Sequence, residues 1–172
     1  MVLNENPCVV RRLGAEDVEL FKHLRLEALR YEPDSFASRL EDEIELSLED
    51  WLKRLQDITV FGVFDKSVAF GIMGLISDHS VGKASQGSLV MVYIQKLKRR
   101  TGAASLMLKE VIKFASETNI SQLKLCVNAE NTAAERFYSE EGFVEIERTQ
   151  GANKCAGNKN DELVMVRALN PA

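Results

Sequence analysis

Four cations crowd one short stretch of an otherwise acidic chain: Lys96, Lys98, Arg99 and Arg100, followed at once by Thr101, Gly102, Ala103, Ala104 and Ser105. An apolar run ending at Ile94 precedes them and a helical pattern follows. The start of a helix carries unpaired N–H groups and about half a positive charge, a combination that holds phosphate. Gly102, Ala103 and Ala104 leave that backbone approachable, and Arg99 and Arg100 can add charge-assisted contacts. No Gly-Lys-Ser/Thr follows and the GxGxxG spacing is missing, so this is neither a Walker loop nor a dinucleotide fingerprint. A solvated basic turn is the other reading of the same residues.

A second group stands further on, at Asn131, Ala134, Phe137, Tyr138, Gly142 and Phe143. Asn131 is a good helix N-cap with or without a ligand, and Gly142 suits the position just past a helix end. Ala134 permits close approach of the helix, and Phe137 reads first as core. Tyr138 differs, because a tyrosine near a helix end needs a polar partner for its hydroxyl.

The elements that must position these groups follow from periodicity. Pro7 to Leu13 reads as a first strand around Val9 and Val10. Leu20, Phe21, Leu24, Ala28 and Tyr31 recur at helical spacing over Ala15 to Tyr31, and Pro33 stops that helix. Ser47 caps a second helix over Leu48 to Gln56, with Trp51, Leu52 and Leu55 as its apolar stripe. Strand-like runs cover Thr59 to Phe64, Ala69 to Ser77 and Ser88 to Gln95, and Asp65-Lys66 suggests a hairpin between the first two. A helix over Gly102 to about Thr118 follows. Then come a strand at Leu123 to Val127, a helix at Asn131 to Glu141 and a strand at Phe143 to Arg148. Gly151 to Asn160 reads as a surface loop, and Leu163 to Leu169 as the last strand. The order β-α-α-β-β-β-α-β-α-β-β makes an α+β layer arrangement, a mixed sheet with helices on its faces.

Composition bounds the rest. A chain of 172 residues, 45% hydrophobic and 28% charged, with no repeat or linker, is one domain's worth of ordinary globular protein spanning residues 1–172. Its net charge of −4 argues against nucleic acid as a partner, and no run of about 20 apolar residues is present to span a membrane. Met1 to Pro7 does not read as a secretory signal. Cys8, Cys126 and Cys155, with His23 and His79, lack the spacing of a metal site, so no metal is expected. Cys126 sits in an apolar run and reads as a small hydrophobe, and the odd cysteine count points to a reducing, cytoplasmic setting.

Arg99-Arg-Thr-Gly102-Ala-Ala104 resembles the Arg/Gln-x-x-Gly-x-Gly/Ala turn of the GNAT N-acetyltransferase superfamily. Asn131-Thr-Ala-Ala134-Glu-Arg-Phe137-Tyr138-Ser-Glu-Glu-Gly142-Phe143 is similar to that family's second signature, in the expected order and with the expected helix and strand between. The likeness runs from Val9 to Leu169 and implies the GNAT fold, with a mostly antiparallel sheet. It also implies acetyl transfer from acetyl-CoA directly to a primary amine. On that resemblance Val92, Tyr93, Ile94, Arg99, Arg100, Thr101, Gly102, Ala103, Ala104, Ser105, Asn131 and Tyr138 contact acetyl-CoA. The Ile94 N–H supports the oxyanion, and Tyr138 serves as general acid to the departing thiolate. Pro33 to Ser38 looks like the acceptor-side loop of some members.

Departures are informative. Arg100 stands where glycine is commoner and Lys96 where proline is frequent. Ser88, Leu89, Val90 and Met91 supply no carboxylate before Ile94, which leaves the general base to Glu27 or to a water chain. Glu27, Tyr31 and Phe36 are candidate acceptor-site residues, though Tyr31 and Phe36 also read as core. The acidic run Glu41, Asp42, Glu43 and Glu45 reads as solvated surface or as an attractor of a cationic amine. A small, amino-acid-like amine is the expected acceptor. A protein N-terminus or lysine, and a non-catalytic acyl-CoA sensor, are the alternatives, and a homodimer is compatible with all three.

Overall fold

The computed structural model describes residues 8–78, 85–149 and 161–169. The strands are β1 (Val9–Arg12), β2 (Thr59–Asp65), β3 (Val68–Asp78), β4 (Ser85–Ile94), β5 (Ile120–Asn128), β6 (Val144–Thr149) and β7 (Glu162–Ala168). The helices are α1 (Val18–Tyr31), α2 (Leu40–Ile44), α3 (Leu48–Asp57), α4 (Ala103–Glu117) and α5 (Thr132–Glu140). One seven-stranded sheet runs β1-β2-β3-β4-β5-β7-β6. Every neighbouring pair is antiparallel except β4 and β5. That parallel pair needs a crossover, and α4 supplies it. This is the expected α+β architecture, with one short helix more than the sequence pattern showed.

The two faces of the sheet carry separate cores. Phe21, Leu24 and Ala28 of α1 and Trp51 of α3 pack with Val60, Phe64, Ile72 and Tyr93. The Phe21 and Trp51 rings meet edge to face at 5.5 Å. On the other face Met107, Leu108, Val111 and Ala115 of α4 cover Val63, Met73, Leu123 and Leu125. β2 and β3 are covered on both faces, which explains why Phe61–Phe64 and Phe70–Leu75 are buried without alternation.

Local chemistry set most boundaries. Ser47 Oγ accepts from the Asp50 N–H at 3.1 Å while Asp50 Oδ2 accepts from the Ser47 N–H at 3.0 Å, a complete capping box for α3. The hairpin between β2 and β3 turns at Lys66-Ser67, one residue later than Asp65-Lys66, with Lys66 at φ 56°.

Two expectations are corrected. The acidic run is not simply solvated: it forms α2, and Glu43 is 1% exposed. Arg25 donates to it through Nε at 3.0 Å and Nη2 at 2.9 Å, and Arg54 Nη1 stands 3.1 Å from Glu43 Oε2. Cys126, half-buried on β5, is disulfide-bonded rather than a reduced hydrophobe, so cysteine usage gives no support to a reducing compartment. No helix among the described residues is long and apolar enough to cross a membrane. The loop expected at Gly151 to Asn160, the residues Met1 to Pro7, His79 and Cys155 lie outside the described residues.

Candidate active site

β4 and β5 begin as partners and then separate. Their parallel pairing runs from Ser85 opposite Ile120 to Ser88 opposite Lys124 and goes no further, although β4 continues to Ile94 and β5 to Asn128. The cause lies in β4. Between the pairs Ile72–Tyr93 and Gly74–Val90, Met73 of β3 faces two residues of β4, a bulge with Met91 at φ 53°. A bulge bends its strand and increases its twist, and a non-glycine residue in the left-handed region is held there by its surroundings. The result is a wedge between the strands.

Ile94 turns its backbone into that wedge. Gln95 N–H donates to Phe70 O at 2.9 Å, and Tyr93 lies opposite Ile72. Alternation along an antiparallel ladder therefore directs the N–H and C=O of Ile94 away from β3. The Ile94 carbonyl accepts there from Arg99 Nε at 3.0 Å. Gly71 lies opposite Ile94, and a Cβ on it would come within 2.6 Å of Ile94 Cδ1 and 2.8 Å of Tyr93 O. Glycine is what allows this close approach.

The basic turn follows directly. Thr101 Oγ1 donates to Lys98 O at 2.8 Å, and Arg100 and Gly102 take φ of 62° and 83°. Gly102 is the N-cap of α4, so no side chain caps the helix, and the first intrahelical bond is Leu106 N–H to Gly102 O. The N–H groups of Ala103, Ala104 and Ser105 accordingly have no backbone acceptor within the helix. A Cβ at Gly102 would meet nothing within 4 Å, so this end of the helix opens onto free space. Left-handed residues alternating with ordinary ones turn successive N–H groups toward one concavity. The residues present thus fit a phosphate-bearing co-substrate.

Several side chains expected to touch that co-substrate are held by the protein itself. Arg99 Nη2 donates to Glu32 at 2.7 Å, in addition to its bond with Ile94. Ser105 Oγ donates to Glu141 at the end of α5, and Arg167 Nη1 donates to Glu141 O at 2.6 Å. Asn131 Oδ1 accepts from Ala134 N–H at 3.1 Å, the N-cap of α5. Lys98 pairs with Asp65 at 2.7 Å. Arg100 is exposed.

Tyr138 is 6% exposed, with its ring edge to face against Phe137 at 5.0 Å and Phe143 at 5.5 Å. It shares one buried cluster with Ile94 and Ala103. Burial pushes its phenol well above the usual tyrosine range. Its hydroxyl makes no hydrogen bond among the described residues. On the opposite face of the sheet Glu27 accepts from the Tyr93 hydroxyl at 2.8 Å and from Gln95 Nε2 at 3.3 Å, with His23 Nε2 at 3.5 Å. Burial and the adjoining Glu27 carboxylate push the Tyr93 phenol up as well.

Residues 31–157, well over half of the chain, match the family described as an acetyltransferase (GNAT) domain. The chain belongs to the GNAT acetyltransferase family. The same fold recurs in a GNAT-family acetyltransferase from Streptococcus pneumoniae, 24% identical, with a TM-score of 0.79 over 95% of this chain and 100% of that one. Arabidopsis thaliana NAA60, solved with a bisubstrate analogue, is 19% identical, with a TM-score of 0.74 over 96% of this chain and 100% of that one. The PaiA N-acetyltransferase from Thermoplasma acidophilum, solved with coenzyme A, is 20% identical, with a TM-score of 0.71 over 94% and 99%. No curated protein matches the sequence significantly.

In this GNAT domain a groove of about 440 Å³ lies over the separated strands, a size suited to a small ligand. Asp34 to Ser38 form one wall, and Leu89, Met91, Lys124 and Asn128 are among the floor residues. Phe36 lines it, half-buried under the Arg25 guanidinium at 4.9 Å. Tyr31 is 68% exposed and does not line it. Asn128, not among the residues expected at the site, holds the wall by donating through Nδ2 to Asp34 O at 3.1 Å. Only an unpaired asparagine at a strand end could have signalled that role. Glu162 also lines this groove.

Proposed function

We propose that this chain is an acetyl-CoA-dependent N-acetyltransferase that moves the acetyl group directly to a small, amino-acid-like primary amine. The observation that carries the reading is the Ile94 N–H turned into the wedge between β4 and β5, a few residues before the uncapped amides of α4. Acetyl-CoA supplies an activated thioester acyl donor. The Gly102–Ser105 amides hold its diphosphate, with the exposed Arg100 as the nearby cation. Val92, Tyr93 and Ile94 line its path through the wedge, Asn131 stands beside it at the head of α5, and Arg99 serves by fixing Ile94.

The Ile94 N–H donates to the oxygen that gains charge as the amine attacks. One preorganised donor of this kind is worth about 3–4 kcal/mol in the transition state. Tyr138 holds a proton at its hydroxyl for the leaving thiolate. The amine must lose its own proton first. For a lysine-like amine at pH 7 that costs about 4–5 kcal/mol. Glu27, which accepts from Tyr93 and Gln95 at the end of β4, accepts the proton through water. The groove walled by Asp34 to Ser38 receives the acceptor, with Phe36 against it.

The test is thiol release from acetyl-CoA across a panel of primary amines, together with the melting temperature with acetyl-CoA. A cofactor at 100 times its Kd adds about 2.7 kcal/mol of stability. Turnover with at least one small amine is expected. Absence of both a thermal shift and thiol release overturns the reading.

A further inference from the structure

The acceptor groove contains a carboxylate without a partner among the described residues. Glu162 opens β7, is 5% exposed, and its Oε2 is fully buried with no hydrogen-bond partner among the described residues. The register sets where it points. Glu162 lies opposite Asn128 in the antiparallel β5–β7 pair, so its side chain shares the sheet face of Asn128, Cys126 and Lys124. Those three residues and Glu162 line the same cavity.

A buried carboxylate without donors is costly, and proteins ordinarily satisfy such groups. Folding does not require an acid here. The neighbouring position on the same face, Val164, is apolar, and Thr149 reaches only the Glu162 backbone oxygen, at 3.4 Å. The surrounding charges leave room for a cation. Arg25 and Arg54, which also line the groove, both pair with Glu43, although Arg25 keeps Nη1 without a partner among the described residues, and Lys124 forms no ion pair with Glu162 among them. Asp34 on the facing wall adds a second negative charge.

We infer that Glu162 is the acceptor-recognition residue of this enzyme, accepting hydrogen bonds from an ammonium group of the acceptor. The inference rests on the acetyl-transfer reading only for the identity of the groove. Glu162 sets which amines enter. It is a specificity residue and plays no part in holding acetyl-CoA.

The test separates recognition from structure. Butylamine, 1,4-diaminobutane and uncharged butanol are titrated calorimetrically into the protein saturated with coenzyme A, for the native chain, Glu162→Gln and Glu162→Asp. The native chain is expected to bind the amines, and Glu162→Gln to bind them at least tenfold more weakly. Glu162→Asp should recover part of that loss, and butanol should not distinguish the three. Glu162→Gln is also expected to melt no lower than the native chain, because the carboxyl it replaces has no partner among the described residues. A residue with a purely structural role would lower the melting temperature instead. Equal amine affinity in Glu162→Gln, failure of the native chain to bind either amine, or an equal loss for butanol overturns the assignment. Turnover is a separate readout. Amine binding without thiol release sinks the acetyl-transfer reading and leaves Glu162 standing, whereas thiol release with an unaltered amine KM in Glu162→Gln does the reverse.

Discussion

Arg99 Nε donates to the Ile94 carbonyl at 3.0 Å, joining the basic turn to the last residue of β4. The same guanidinium reaches Glu32, just past the end of α1, at 2.7 Å. One side chain thereby sets the orientation of a peptide whose N–H faces the wedge, using three elements that meet only in the folded chain.

Arg99→Lys tests this. A lysine cannot serve both acceptors in the planar fork geometry of arginine. We expect kcat to fall about tenfold, since small displacement of an oxyanion donor is costly. The acetyl-CoA KM should change little, because the Arg99 guanidinium is already bonded to the Ile94 carbonyl and to Glu32. The ion pair with Glu32 is partly exposed, so stability should fall by no more than about 1 kcal/mol. Steady-state kinetics and thermal melts read both.

Tyr138→Phe removes a hydroxyl with no hydrogen bond among the described residues and leaves the ring packing against Phe137 and Phe143 intact. The melting temperature and acetyl-CoA affinity are expected to hold, while kcat falls about 100-fold or more, the range of a general acid. Unchanged turnover removes Tyr138 from the mechanism.

Gly102→Ala and Gly102→Glu place a Cβ on a residue at φ 83°. Open space surrounds that Cβ, so the expected stability loss is the conformational strain alone, about 1–2 kcal/mol. Affinity for acetyl-CoA should fall in both and most in Gly102→Glu, measured by titration calorimetry. Retained affinity in Gly102→Glu moves the diphosphate elsewhere.

Glu43 predicts the response to acid. Burial alone raises its carboxyl, but the Arg25 hydrogen bonds and the Arg25 and Arg54 charges outweigh that and hold it below the usual carboxylate range. A carboxyl lowered by folding contributes fully above its unfolded value, about 4.3, and loses that contribution as pH falls through the folded value. The melting temperature should therefore drop on acidification below about pH 4. Glu43→Gln should flatten that limb and cost about 3–5 kcal/mol at pH 7, because it leaves the buried Arg25 guanidinium, and the partly exposed Arg54 beside it, short of their counter-ion.

Gly71→Ala tests the close approach of β3 to β4. Its Cβ would press on the Tyr93 carbonyl and the Ile94 side chain, which displaces the end of β4. We expect lower stability together with lower kcat, and neither change if β4 can shift freely.

The sequence by itself determined the elements, the family and the open turn that starts α4. Those features are local: a capping box at Ser47, helical spacing through α4, and a turn whose small residues and amides are contiguous from Gly102 to Ser105. Local chemistry is written in neighbouring residues, so it can be read from them. The bulge at Met91, the bond that ties Arg99 to Ile94, and the burial of Glu43 and Glu162 were decided by tertiary structure alone. Each depends on which strand or helix arrives opposite, and hence on contacts such as Glu32 with Arg99 or Arg25 with Glu43 between residues far apart in the chain. An acidic residue looks solvated until the fold brings it under a guanidinium or into a groove, because burial and pairing belong to the packed chain and to no residue by itself.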